Sequence, residues 1–232
     1  MNHGTALFKM KLPYSVNLIV FDLDGTLIDS REDLARSANY ALNSLGLKEL
    51  PVDTLSTFIG DGIYKLMERA LEWQHKLGRA YTGSIEEAVE IFRGHYAEHL
   101  VDRTRLYPGV LETLNHFRGK KKAVVTNKPF DFAVNILTGL GVAGHFDIVM
   151  GGDSTTNRKP HPEPLEKVMT KLDVQSETAV IVGDSPQDIE MAKRAGLLSI
   201  AVTYGLGVKE DLIKAEPDLF IENLYELTNC LC

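Results

Sequence analysis

An open α/β sheet of parallel strands, doubly wound by helices and carrying an all-helical insertion near its start, is the fold this sequence predicts. Three observations carry that expectation. Short apolar runs recur along the chain, several end abruptly in a polar, chemically capable residue, and the segments between them have helical periodicity. Apolar runs rich in β-branched residues, without polar alternation, are what strands buried on both faces look like. Strands alternating with helices then imply crossovers that lay helices on both sides of the sheet.

Taken in order, the first run is Asn17-Leu18-Ile19-Val20-Phe21, ending at Asp22. From about Ser30 to Arg105 no buried strand is evident. Ser30 followed by Asp33 reads as a helix-starting box, and Leu34, Ala38, Ala41, Leu42 and Leu45 keep one apolar face up to a stop at Gly46. Further helices are expected over Ile63 to Leu77 and Ile85 to Leu100. The expected division is therefore a core of residues 10–30 and 106–232 and a helical cap of residues 31–105, placed as a lid over the end of the first strand. Beyond it come strands over Lys122 to Val125, Phe146 to Met150, Ala179 to Val182, Leu198 to Val202 and Leu219 to Ile221. Helices are expected over Pro129 to Leu140, Pro164 to Leu172 and Pro186 to Ala195.

The bulk numbers narrow the function. A chain of 232 residues with 44% hydrophobic content can bury a substantial core. Its formal net charge of -7 argues against a general nucleic-acid or anionic-membrane binder, since both want a basic face. The run before Asp22 is too short for a membrane span and lacks the pattern of a signal peptide. The two cysteines, Cys230 and Cys232, form no disulfide framework, so the expected location is the cytoplasm. As a C-x-C pair at a frayed terminus they read as incidental rather than as a metal site. Residues 1–9 read as a disordered leader, with Met10 as the functional start. No nucleic acid and no membrane are expected as partners, and the expected assembly is a monomer or homodimer.

In open α/β sheets, ligands bind beyond the carboxyl ends of the strands, and the polar residues fall there. Asp22-Leu23-Asp24-Gly25-Thr26 follows the first strand: one carboxylate can bind a divalent cation and attack phosphorus while the other exchanges a proton. Gly25 permits the tight turn and is expected to leave backbone N–H groups free for phosphate oxygens. Thr126 and Asn127 end another strand and offer uncharged donors to a phosphate, although both are also common turn residues. Lys159, in Arg158-Lys159-Pro160-His161-Pro162, sits on a segment stiffened by proline, where an ammonium can face developing negative charge. Otherwise it is a solvated surface lysine. Asp184 and Asp188 open a helix after the run 179–182 and can complete a magnesium site with Asp22; the helix dipole alone would also favour them. His95 and His99 lack the glutamate of a zinc protease motif, Gly60-Asp61-Gly62 is no dinucleotide fingerprint, and Trp73 reads as lid packing.

Taken together, the Asp22–Thr26, Thr126-Asn127-Lys128, Lys159 and Gly183–Asp188 motifs resemble the haloacid dehalogenase superfamily over essentially Val16 to the C-terminus. That resemblance implies a three-layer, Rossmann-like α/β core with an inserted helical cap, Mg²⁺ as cofactor, a small phosphorylated metabolite as partner and an aspartyl-phosphate intermediate. It implies Asp22 as nucleophile and Asp24 as general acid/base, with Thr126 and Lys159 stabilising the phosphate. Asp22, Asp184 and the backbone carbonyl of Asp24 would ligate the metal, with Asp188 in support. Phe21 to Ser30, Ile59-Gly60-Asp61-Gly62, Glu68 to Leu71, Tyr107 to Val110 and Thr203-Tyr204-Gly205 resemble the phosphoglycolate phosphatase subfamily in particular. Leu206 departs from an aromatic that often follows that last segment. Within the superfamily a carbon–halogen dehalogenase, a phosphonate hydrolase with Lys65 as its cap lysine, a pyrophosphatase and a β-phosphoglucomutase-like enzyme stand as alternatives. An inactive binding scaffold is the non-enzymatic one. Arg69 is the cap residue considered for a substrate carboxylate.

Overall fold

The computed structural model describes residues 13–79 and 81–232; the leader and the start at Met10 lie outside them. In chain order the elements are β1 (Leu18–Phe21), β2 (Ile28–Asp29), α1 (Arg31–Ser44), α2 (Val52–Ser56), α3 (Ile63–Lys76), α4 (Ile85–Glu98), β3 (Arg105–Leu106), α5 (Val110–His116), β4 (Lys121–Val125) and α6 (Phe130–Gly139). They continue with β5 (Ile148–Met150), α7 (Glu163–Leu172), β6 (Ala179–Gly183), α8 (Pro186–Ala195), β7 (Leu198–Val202), α9 (Lys209–Ala215), β8 (Leu219–Ile221) and α10 (Leu227–Cys230).

Side chains of a strand alternate between faces, and in β1 both faces are buried. Leu18 and Val20 enter a cluster with Leu165 and Val168 of α7 and Met191 of α8. Ile19 and Phe21 enter the opposite one, with Leu114 of α5, Ile136 of α6 and Leu227 of α10. The result is helix, sheet, helix. The six strands are all parallel, in the order β5-β4-β1-β6-β7-β8. With β4 on one side of β1 and β6 on the other, the winding reverses beside β1, and a crevice opens at the carboxyl ends of these three strands.

Helices α1 to α4 lie between β2 and β3, two-residue strands paired antiparallel as Ile28 with Leu106 and Asp29 with Arg105. Chain therefore leaves the sheet for the helical segment and returns from it along one ribbon. Inside that segment Leu42, Met67 and Phe92 are fully buried. Among the described residues no helix is long and apolar enough to cross a membrane.

Two expectations need correction. Ser30 does precede α1, but it makes no side-chain cap bond; its hydroxyl donates to Asp24. Asp33 likewise turns away from the helix start, accepting the Arg103 N–H at 2.9 Å, the Thr104 N–H at 2.8 Å and the Thr104 hydroxyl at 2.8 Å. A buried carboxylate offered three donors from beside β3 satisfies more of its lone pairs than one local cap bond would. Replacing Asp33 by Ala strands the buried Thr104 N–H and hydroxyl and the part-buried Arg103 N–H, so stability should fall by about 2–4 kcal/mol. A melting temperature equal to that of the unmodified protein would contradict this assignment. The C-terminus, expected to fray, is pinned instead: the Tyr14 N–H donates to the Cys230 carbonyl at 2.8 Å and the Cys232 N–H to the Tyr14 carbonyl at 2.9 Å.

Candidate active site

Asp22 is the first residue beyond β1. Its N–H continues the ladder to the Val182 carbonyl at 2.9 Å, which fixes the carboxylate at the centre of the crevice. Behind it lies Lys159, whose Nζ is 2.6 Å from Asp22 Oδ1 and 2.7 Å from Asp188 Oδ1. The second oxygen of Asp188 accepts the Ser185 hydroxyl at 2.6 Å and the Ser185 N–H at 3.2 Å. Ser185 is the residue before the first turn of α8, so the bonds that tie Asp188 to the helix start also aim it at the lysine.

Asp184 follows β6 directly, and its Oδ2 accepts the backbone N–H groups of Leu206 at 2.7 Å and Gly207 at 3.0 Å. Because backbone makes these bonds, the departure at Leu206 leaves them intact. The turn after Asp22 closes against the same carboxylate. A Cβ on Gly25, where φ is +86°, would lie 2.0 Å from Asp184 Oδ2. Glycine is required there by both conformation and space. The Gly25 N–H donates to the Ile28 carbonyl at 2.9 Å, while the Leu23 and Asp24 N–H groups of the same turn donate no hydrogen bond among the described residues.

Asp22, Asp184 and Asp188 are all buried, with a carboxylate oxygen of each within 4.8 Å of those of the others. Three carboxylates share one ammonium, and the acidities of Asp22 and Asp184 respond. Burial pushes Asp22 well above the usual carboxylate range; Lys159 opposes the shift, and Asp188 and Asp184 add to it. Burial, with Asp188, pushes Asp184 up to about 7 against the pull of the Leu206 and Gly207 N–H groups and Lys159. Such a cluster is short of positive charge. Asp188 has both oxygens engaged, whereas Asp22 Oδ2 and Asp184 Oδ1 accept no hydrogen bond from the described residues. All-oxygen donors with two unengaged atoms fit a hard divalent cation such as Mg²⁺, which keeps several waters and needs few carboxylates.

The Asp24 side chain is not part of this cluster. It faces the other way, to the Ser30 hydroxyl and to Lys128 Nζ at 3.1 Å. Lys128, to which the motif reading gave no role, is buried and also donates to the Tyr96 hydroxyl of α4 at 2.8 Å. Burial works against its charge, but the Asp24 carboxylate and Tyr96 outweigh that and hold the ammonium protonated.

Thr126, at the end of β4, is buried and accepts the Lys128 N–H at 3.1 Å, so its own proton remains for another acceptor. The Asn127 side-chain amide is engaged within the protein, with Nδ2 meeting Gln187 Oε1 at 2.7 Å, the Gly60 carbonyl at 3.3 Å and the Lys159 carbonyl at 3.4 Å, while its backbone N–H donates no hydrogen bond among the described residues. It ties the helical segment to the core, beside a bond from Gln187 to Asp61.

Asp22, Asp24, Thr126, Lys128 and Asp184 line one cavity of about 70 Å³, roofed by the apolar side chains of Leu34, Ile59, Ile63 and Leu66. Two cap candidates lie elsewhere. Arg69 pairs with Asp61 and donates to the Phe58 carbonyl at 3.1 Å, in the outer cleft. Lys65 pairs with Glu68 on a partly exposed face and does not line the cavity. His95 stacks with His99 at 4.3 Å and with Tyr40 at 4.2 Å, away from the carboxylates. Trp73 lies half out of the cap with its ring 6.0 Å from Phe58.

Comparison with known proteins decides the family. The haloacid dehalogenase-like hydrolase family matches residues 19–202. The chain belongs to that family. This hydrolase is 36% identical to the phosphoglycolate phosphatase of Nitrosospira multiformis over 96% of its own length and 98% of the relative's. It is 38% identical to that of Salmonella typhimurium over 92% and 91%. Among solved structures, a predicted phosphoglycolate phosphatase from Haemophilus somnus matches with a TM-score of 0.87 and 34% identity, covering 92% of this chain and 96% of that one. The expected three-layer core with a helical insertion is the fold observed for this hydrolase.

Proposed function

We propose that this hydrolase is a Mg²⁺-dependent phosphomonoesterase acting through an aspartyl-phosphate on Asp22, with 2-phosphoglycolate as its preferred substrate. The observation that carries the chemistry is the partition of the carboxylates. Asp22 and Asp184 lie together with oxygens unengaged, while Asp24, two residues on, is held apart by Lys128 and Ser30. Nucleophile and proton donor thus have separate environments, as two carboxyls with different tasks require. The substrate preference is supported by the relatives of similar length that carry that name.

Asp22 and Asp184 would hold the cation, joined by the backbone carbonyl of Asp24; when bound, it screens the phosphate from the carboxylates and polarises its oxygens. Asp22 attacks phosphorus. Lys159, divided between Asp22 and Asp188, fixes the nucleophile and places positive charge behind it, and Thr126 donates its free proton to a phosphate oxygen. Asp24 gives a proton to the departing alkoxide and then takes one from the water that cleaves the acyl phosphate. The apolar roof excludes bulk water from these steps.

The test is phosphate release from 2-phosphoglycolate, pyrophosphate, nucleotides and sugar phosphates, with Mg²⁺ and after its removal by EDTA. Metal-dependent turnover with a large preference in kcat/KM for 2-phosphoglycolate is expected. Broad, weak hydrolysis would unseat the substrate, and no release would unseat the chemistry.

Metal removal has a second consequence. Without a cation the folded protein keeps a proton on Asp184 up to about pH 7, whereas the unfolded chain releases it near pH 4. Between those values the folded state binds more protons, so its stability falls as pH rises, the reverse of the usual carboxylate effect. EDTA-treated protein should lose several degrees of melting temperature relative to Asp184→Asn between pH 4.5 and 7, and Mg²⁺ should restore them. A difference between the two proteins that does not change with pH would refute this.

A further inference from the structure

Lys128 is the only cationic side chain lining the cavity among the described residues. Lys159 lies behind Asp22, shared between two carboxylates. A lysine ammonium has three N–H donors. Two of those on Lys128 are accounted for, by the Tyr96 hydroxyl at 2.8 Å and Asp24 Oδ1 at 3.1 Å, and the third has no acceptor among the described residues. Nζ also sits 4.8 Å from the centroid of the Tyr96 ring, so the side chain is pinned between α4 and the sheet. A buried, fixed ammonium with a spare donor is a site for an anion. Every other wall of the cavity is apolar, acidic or uncharged.

We infer that Lys128 is the specificity-determining residue of this hydrolase and binds a carboxylate carried one carbon from the ester oxygen of the substrate. The inference rests on the proposed roles of Asp22 and Asp24. If Asp24 protonates the leaving oxygen, that oxygen lies against the Asp24 carboxyl in the reacting complex. An ammonium 3.1 Å from the same carboxyl then faces whatever group is attached one carbon further on. A neutral alkyl group would leave the spare donor buried and unpaired; a carboxylate satisfies it and adds charge attraction. Larger substituents would have to extend into Leu34, Ile59, Ile63 and Leu66, which offer no polar partner. The favoured class is therefore a short phosphate ester bearing an α-carboxylate. Tyr96 serves as a positioning residue, acting through Lys128.

The experiment compares kcat/KM for 2-phosphoglycolate and for ethyl phosphate, which lacks the carboxylate, in the Mg²⁺-loaded full chain. For the unmodified protein the ratio should exceed roughly 100. In Lys128→Met it should collapse toward unity, whatever loss the two substrates share through Asp24, and Lys128→Arg should recover part of it. Tyr96→Phe should lower the ratio less, chiefly through KM for 2-phosphoglycolate. Should Lys128→Met fail to fold, the unmodified protein still decides: hydrolysis of both esters without preference overturns the carboxylate site and leaves the phosphatase standing. An equal fall for both esters in Lys128→Met, with the ratio preserved, also overturns it, because Lys128 would then serve Asp24 alone. Hydrolysis of neither ester by the unmodified protein overturns the phosphatase reading and the carboxylate site with it.

Discussion

Asp22→Asn should abolish turnover and, in the absence of metal, make the protein more stable. The loss should be on the order of 10⁵-fold or more, since an amide neither attacks phosphorus nor forms the acyl phosphate. The gain in stability follows from the electrostatics. Asp22 is buried beside Asp184 and Asp188 with one ammonium for all three, and burial holds its carboxyl far above the usual range. Asparagine keeps the shape, removes a charge that the fold disfavours, and leaves Lys159 paired with Asp188 at 2.7 Å. Stabilisation of about 1–2 kcal/mol at pH 7.5 is expected in EDTA, shrinking when Mg²⁺ is present. Mass spectrometry should find a phosphorylated residue in the unmodified protein quenched during turnover, and none in the variant. Undiminished turnover by a clean, folded variant would end the case for Asp22 as nucleophile.

The opposite change at the same cluster should be severe. Lys159→Met leaves Asp22, Asp184 and Asp188 buried without their ammonium. Removing one partner of a buried ion pair costs about 3–5 kcal/mol because the remaining charge is uncompensated. For a chain of this size that is on the order of 10 °C in melting temperature. The carboxylates can escape by taking up protons, so the loss should be smaller at pH 5 than at pH 7.5, and Mg²⁺ should offset part of it. Activity should fall on the order of 100-fold or more. In the double variant with Asp188→Leu, stability should partly return while activity does not. A Lys159→Met protein that melts with the unmodified one at pH 7.5 in EDTA would show that the ammonium does not balance the cluster.

How much of this was readable in the residues depended on whether the relevant partner was near in sequence. The central strands were legible because burial on both faces leaves an uninterrupted apolar run, as in Leu18–Phe21 or Ala179–Gly183, whereas the edge strand Leu219–Ile221, with Phe220 exposed, showed only as a short apolar run. Strands β2 and β3, two residues each, were not legible, since two residues carry no periodicity. Asp22, Asp24 and Asp184 stood out because each follows a run that ends sharply. Lys128 stood in plain view beside Thr126 and Asn127 but without a role. Its partners, Tyr96 and Asp24, lie 32 and 104 residues earlier, and only the fold brings them to it. Distance likewise misled the reading of Asp33, whose donors lie 70 and 71 residues later, while Ser30 turns to Asp24 only six residues earlier, across a turn that places the two together. Their local pattern describes a helix cap, but Asp24, Arg103 and Thr104 compete for those side chains and win. For Asn127 and Gly25 the loops were legible, but the bonds made by the Asn127 side chain and the Gly25 N–H, to Gln187 and Ile28, were not.

The ribbon formed by Ile28–Asp29 and Arg105–Leu106 has a consequence for how such a protein can change. Because outgoing and returning chain are hydrogen-bonded neighbours, the ends of the intervening segment stay together whatever lies between them. Lengthening or shortening that segment alters the entropy of closing it only logarithmically, and the carboxylates on β1 and β6 need not shift. The apolar roof of Leu34, Ile59, Ile63 and Leu66, and the Tyr96 hydroxyl that holds Lys128, are thus separable from the carboxylates beneath them. The attachment works as a socket: exchanging the segment, Tyr96 included, should change which esters fit while the carboxylate cluster beneath it keeps its geometry.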